Sequence, residues 1–210
     1  MVKHSKITKV FQLSLVIIFI LVLLGLFVPQ QFQNISFYLK NLLTTSVGWF
    51  YLLLVTGILI FCVFLIVSPI GQLRLGNPTS RPEHSTTSWI AMMFSAGMGI
   101  GLVFYGAAEP LSHFAISTPN AEIGSAAALA DAFRFTFFHW GFHAWAVYAL
   151  VGLSLAYFGF RKREKYQLSV VFKPLFGKYA DGPIATIIDT ITIIATVIGV
   201  ATTLGFGASQ

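Results

Sequence analysis

Apolar positions in this chain fall into five long runs separated by polar stretches. The first is Val10 to Val28, closed by Pro29, and the second is Gly48 to Ser68, closed by Pro69. The third extends from about Ser88 to Phe114 and is interrupted by glycines; the fourth covers Ala132 to Phe160 and the fifth Ile184 to Ala208. A helix crossing a bilayer needs about 20 predominantly apolar residues, and the runs reach that length. A closed β-barrel is the other structure that satisfies its backbone in lipid. It needs alternating strands of about ten residues, which these continuous runs exclude. The pattern predicts an all-α integral membrane protein with about five transmembrane helices. The first run follows Lys3, Lys6 and Lys9, as a signal peptide would. Its apolar stretch exceeds the usual 7–15 residues or so and no small-residue cleavage site follows, so it reads as a retained helix.

Composition agrees: 56% of the residues are hydrophobic and 10% charged, against about 25% charged in a soluble domain. The net charge of +6 would admit nucleic acid as a partner, but the positions of the charges argue against it. The N-terminus, the loop after the second run (Arg74, Arg81) and the loop after the fourth (Arg161, Lys162, Arg163, Lys165, Lys173, Lys178) hold 11 Lys and Arg; the two alternate loops hold 2, Lys40 and Arg134. This alternation follows the positive-inside rule and predicts a cytoplasmic N-terminus in the cell membrane. The cluster after the fourth run is a topology signal in contact with anionic lipid. With five spans the C-terminus falls outside, close behind an apolar run, and the chain reads as a truncated product. Cys62, the single cysteine, lies inside an apolar run and reads as a small hydrophobe.

Two segments depart from the pattern of ordinary membrane helices. The third run contains Gly97-Met98-Gly99-Ile100-Gly101, and each glycine weakens a helix by roughly 1 kcal/mol relative to Ala. Gly97 and Gly101 form a small-xxx-small pair suited to close helix packing; alternatively the stretch is unwound and its free carbonyls and amides line a site. The spacing is not that of a dinucleotide fingerprint, and no strand precedes it. The fourth run contains His139-Trp140-Gly141-Phe142-His143-Ala144-Trp145-Ala146-Val147-Tyr148. On a continuous helix turning about 100° per residue, Trp140, Trp145 and Tyr148 share one face, at the same depth as the glycines. Core packing is one reading of that face. An aromatic cage for a quaternary ammonium, a ligand with no N–H to donate, is the other.

Among the polar residues, Glu109 is a functional candidate or a hydrated group near the interface. His139 and His143 are spaced i, i+4, but no Cys or second His pair accompanies them, so no metal site is expected. Asp189, Thr190, Thr192, Thr196, Thr202 and Thr203 fill the fifth run. Such threonines ordinarily bond to their own backbone or a neighbouring helix; an ion site is the minority reading.

The stretches Gly97-Met98-Gly99-Ile100-Gly101 through Phe104-Tyr105-Gly106-Ala107-Ala108-Glu109-Pro110, and Trp140 through Leu153, are ordered and long. Through them the chain resembles the betaine–carnitine–choline transporter family. The resemblance implies a twelve-helix inverted-repeat, LeuT-like fold, of which residues 1–83 would be two peripheral helices with a cytoplasmic loop and residues 84–210 the first three helices of the first repeat. It implies that Trp140, Trp145 and Tyr148, with Gly97, Gly99 and Gly101, hold a trimethylammonium substrate. Ser95, Met98 and Thr196 would belong to sodium sites, although Val200 stands where a second hydroxyl is expected. Choline-type members carry an acid where this chain has Gly101, so the resemblance favours glycine betaine or a similar zwitterion. It further implies sodium as the coupling ion, no other cofactor, and a homotrimer in the full-length form.

The function expected is ion-coupled import of a quaternary-ammonium osmolyte. A sodium-independent carnitine or choline carrier or antiporter, an intramembrane metal-dependent enzyme using His139, His143 and Glu109, and a purely structural subunit are the competing readings.

Overall fold

The computed structural model describes residues 7–118 and 120–208. Lys3, Lys6, Ser209 and Gln210 lie outside them, as does the side chain of Lys178. Every long element among the described residues is helical: α1 (Lys9–Phe27), α2 (Pro29–Val67), α3 (Thr86–Gly97), α4 (Ile100–Ala115), α5 (Ala126–His139), α6 (Phe142–Ala156), α7 (Leu168–Val171), α8 (Lys173–Phe176) and α9 (Pro183–Ala208). Four helical stretches are long and apolar enough to cross a bilayer, and a fifth span arises if the bent pair α3–α4 is counted as one.

Local chemistry sets the boundaries. The Thr8 hydroxyl accepts from the Phe11 amide at 3.2 Å, Ser85 from Ser88 at 3.2 Å and Ser125 from Ala128 at 3.1 Å; each satisfies one of the amides that a helix start leaves without a partner. Pro29 and Pro183 open α2 and α9, where a missing N–H costs nothing.

Two of the expected boundaries fail. The stretch from Pro29 to Val47 belongs to α2, a helix of 39 residues, and is not a loop. Its 39 residues exceed the roughly 20 that a span requires, and the strongly apolar part begins near Gly48. The fourth run, expected as one uninterrupted helix, is broken between α5 and α6 at Trp140 and Gly141. At the other glycine-rich place the unwound reading holds. Met98 and Gly99 lie outside helix, with Gly99 extended at φ −75°, ψ 170°, and the two halves are bent by 53°.

The chain divides into two compact units, Met1–Leu54 with Val151–Ile198, and Val55–Leu150 with Gly199–Gln210. In the second unit α4 and α5 form an antiparallel pair, as the facing partners Glu109–His139 and His113–Phe135 record. Ala128 and Ala132, one turn apart on α5, are fully buried; their small side chains let helices approach closely. The far part of α2 meets α6, where His143 Nε2 lies 3.3 Å from Thr56 Oγ1 and the Cys62 thiol 3.7 Å from the Ala146 carbonyl.

In the first unit the basic segment after α6 folds into α7, α8 and a 3-10 turn at Gly177–Asp181. Its anchor is Asp189 of α9. One carboxylate oxygen accepts from the Ser169 amide at 3.0 Å, the other from the Ser169 hydroxyl at 2.8 Å. Asp189 thus caps α7 from another helix, in place of the flanking Gln167, whose side chain makes no cap bond. Lys173 lies 3.0 Å from Glu164 and 3.5 Å from Asp181, and its hydrogen bond to Glu164 holds the ammonium above the usual lysine range. A raised pKa contributes stability that is present below the ordinary lysine pKa and lost as pH rises through the raised one.

Removing the cap should loosen this segment. Asp189→Ala leaves the buried Ser169 amide without its partner, a cost of roughly 2 kcal/mol, so trypsin should cut after Lys165 about thirty-fold faster if cleavage follows local opening. Cleavage at the wild-type rate would remove the capping role.

Candidate functional site

Of the expected site residues, all but Thr196 lie around the two helix breaks of the second unit. At the break between α5 and α6 the Trp140 carbonyl is released from the helical ladder, and the Trp145 indole Nε1–H donates to it at 3.0 Å. Gly141 is needed there, because a Cβ would collide with the Phe137 carbonyl oxygen. The hydrogen bond fixes the indole, whose outer edge lies against Gly97 at the end of α3: a Cβ on Gly97 would stand 3.2 Å from Trp145 Cη2. Tyr148, nearly one turn further along α6, pairs with Trp145 at a centroid distance of 5.6 Å and 40° between planes. Both rings keep free surface, Trp145 being 43% and Tyr148 72% exposed.

Trp140 stands at the interruption before Gly141, and its ring lies 6.0 Å from Tyr105 of α4. Tyr105 and Phe104 in turn pack on Phe206 of α9, at 5.2 and 5.0 Å. Sequence reasoning missed this second aromatic group; the juxtaposed Phe104-Tyr105 opposite Trp140 was its signal.

Gly99 and Gly101 border the break between α3 and α4, and a Cβ at either would meet open space. Met98 caps α3 through its amide to the Phe94 carbonyl at 2.8 Å, and its side chain is exposed. Ser95 lies in the last turn of α3, where helix carbonyls lack an intrahelical partner. Thr196 belongs to the first unit and donates to the Thr192 carbonyl at 2.8 Å. Thr192 and Thr203 bond back to their own helix in the same way, as the threonine-rich run implied.

Glu109 is the polar centre of the α4–α5 pair. Its Oε2 accepts from the Trp140 indole at 2.7 Å, its Oε1 meets His139 Nδ1, and His113 Nε2 stands 3.5 Å from Oε1. His113 Nδ1 faces the Ser117 carbonyl at 3.3 Å. His139 and His143, which an i, i+4 reading places together, separate at the break: His139 turns to Glu109 and His143 to Thr56. Sequence spacing could not bring His113 and His139 together, because their meeting depends on the hairpin between α4 and α5.

Residues 9–210 match the family model described as BCCT, betaine/carnitine/choline family transporter. The chain is 51% identical to "Glycine betaine transporter OpuD" of Bacillus subtilis over 100% of its own length and 41% of the relative's. It is 43% identical to the "Glycine betaine transporter" of Acinetobacter baylyi, over 96% of this chain and 30% of that one. It is also 43% identical to the "Ectoine/hydroxyectoine transporter" of Virgibacillus pantothenticus, over 96% and 40%. The chain therefore spans less than half the length of these relatives. Family and relatives are transporters, which rules against the intramembrane enzyme. This chain belongs to the betaine/carnitine/choline transporter family and is a multi-pass membrane protein.

Proposed function

We propose that these residues form the first-repeat side of a binding site through which a secondary transporter imports glycine betaine or a similar quaternary-ammonium osmolyte, with sodium as the coupling ion. Residues 1–83 then supply the two peripheral helices and residues 84–210 the first three helices of the repeat. The observation that carries the reading is the pair Trp145–Tyr148, with the indole held by the Trp140 carbonyl and seated on Gly97. A trimethylammonium group offers no hydrogen-bond donor, and open π-faces attract it. Ring orientation set before binding lowers the ordering cost of capture. The broken helix beside the rings supports the same reading, since discontinuous helices supply backbone groups to transporter sites near the bilayer midplane. The names of the relatives support an osmolyte as the solute. Sodium coupling draws on Ser95, Met98 and Thr196 through the family resemblance.

Replacing the matching part of the Bacillus subtilis relative with these residues yields a protein in which uptake can be measured. Trp145→Ala should remove a contact worth about 2 kcal/mol, raising the half-saturation constant for labelled glycine betaine roughly thirty-fold. An unchanged constant would contradict the aromatic site. Gly97→Ala presses a methyl against the Trp145 ring edge and should weaken uptake in the same direction.

On this reading the 210 residues hold part of one repeat, and such a site needs the opposing repeat as well. Reconstituted alone into liposomes under an inward sodium gradient, they should accumulate no betaine above empty vesicles. Saturable accumulation would show a complete site.

The charge alternation supports a cytoplasmic N-terminus. With Cys62 replaced by Ala, a cysteine introduced at Arg163 should be labelled by an impermeant thiol reagent in inverted vesicles and not in intact cells; labelling of intact cells would reverse the orientation.

A further inference from the structure

We propose that Glu109, His113 and His139 form a binding site for a divalent transition-metal ion of the Zn²⁺ class, clamping α4 to α5. Their candidate ligand atoms, one from each residue, lie within 4.8 Å of one another. Two ligands on a tetrahedral ion at about 2.1 Å are separated by roughly 3.4 Å, and His113 Nε2 stands 3.5 Å from Glu109 Oε1. Two histidines and one glutamate are a familiar Zn²⁺ donor set that leaves a fourth position open.

The decisive feature is a mismatch of lone pairs. Ser117 offers His113 a carbonyl, which can only accept, so Nδ1 carries the hydrogen. In the neutral ring Nε2 is then a bare acceptor, and it faces a carboxylate oxygen, also an acceptor. Something positive must lie between them, either a proton on Nε2 or a metal ion. The surroundings fit the ion. Metal-ligating histidines donate their other ring N–H to a carbonyl or carboxylate, and ligating carboxylates are themselves hydrogen-bonded. Here Ser117 takes the first role for His113, and the Trp140 indole, donating to Glu109 Oε2 at 2.7 Å, takes the second. Oε1, on the other side, is the oxygen that both imidazoles face. His139 is half exposed, which gives an ion a way in. The ligands come from different helices, so the ion would act as a cross-link some 9 Å along α4 from its C-terminal end.

The test uses the whole 210-residue chain, purified in detergent with any affinity tag removed. Zn²⁺ is titrated in competition with a chromogenic chelator, and Co²⁺ is used as a spectroscopic substitute. The expected result is one Zn²⁺ per chain and intense Co²⁺ d–d bands of four-coordinate type. His113→Ala, His139→Ala and the near-isosteric Glu109→Gln should each weaken binding by roughly ten-fold or more, and Trp140→Phe by about ten-fold through the orienting bond. His84→Ala, outside the cluster, should bind as wild type. A second measurement avoids variants that fail to fold: Zn²⁺ should protect His113 and His139 of the wild-type chain from diethyl pyrocarbonate while leaving His84 reactive. No stoichiometric binding, or binding that survives both histidine substitutions together without such protection, would overturn the proposal and leave a protonated His113 as the group facing Glu109.

Discussion

A helix in lipid must satisfy its own backbone, because the hydrocarbon offers no partner for a free N–H or C=O. Every departure from regular helix in this chain therefore has to be answered locally, and the answers are what build the site. At Trp140 the released carbonyl is taken by the Trp145 indole. The same bond that pacifies the backbone also holds an aromatic face in one orientation against Gly97. At Met98 and Gly99 the interruption falls among glycines, which are poor helix formers, and a Cβ at Gly99 or Gly101 would meet nothing within 4 Å.

The polar side chains obey the same rule at higher stakes. A buried carboxylate without partners is far costlier than an unpaired amide, and Asp189 and Glu109 are each multiply bonded. Asp189 spends both oxygens on Ser169, which explains an acid in α9 without any ion. Glu109 gathers His113, His139 and Trp140. The contrast is informative: Asp189 meets only donors, whereas Glu109 meets the Trp140 donor on one oxygen and two imidazoles on the other. The first arrangement is complete as it stands, and the second is where we place a cation.

The apolar runs made the spans legible, since length and continuity are properties of sequence alone. The break at Met98–Gly99 was legible too, because glycine propensity is local. The helix over Pro29–Val47 was not read, although Phe32, Ile35, Leu39, Leu42 and Leu43 recur at helical spacing. Polar Gln, Asn and Thr between them lower the mean hydropathy, and a search for spans passes over an amphipathic extension. The break at Trp140–Gly141 was hidden for the opposite reason: one glycine among strong apolar residues gives no reliable stop, and the carbonyl contact that requires it appears only in three dimensions. His139 and His143 looked paired because a continuous helix was assumed; the partner of Asp189 was invisible because it lies twenty residues away.

Trp140 is where these consequences converge. Its carbonyl receives the Trp145 indole and its own indole reaches Glu109, so a single turn of backbone carries both the aromatic pair and the Glu–His cluster. Hydrogen-bonded groups with two partners cannot reorient for one without releasing the other. A displacement of the α5 end that broke the Glu109 bond would shift the carbonyl holding Trp145, and a rotation of Trp145 away from Gly97 would free a carbonyl that lipid cannot satisfy. The two groups are therefore mechanically joined through one residue, and the join follows from the glycine at 141, which ends α5 where a side chain would have continued the helix.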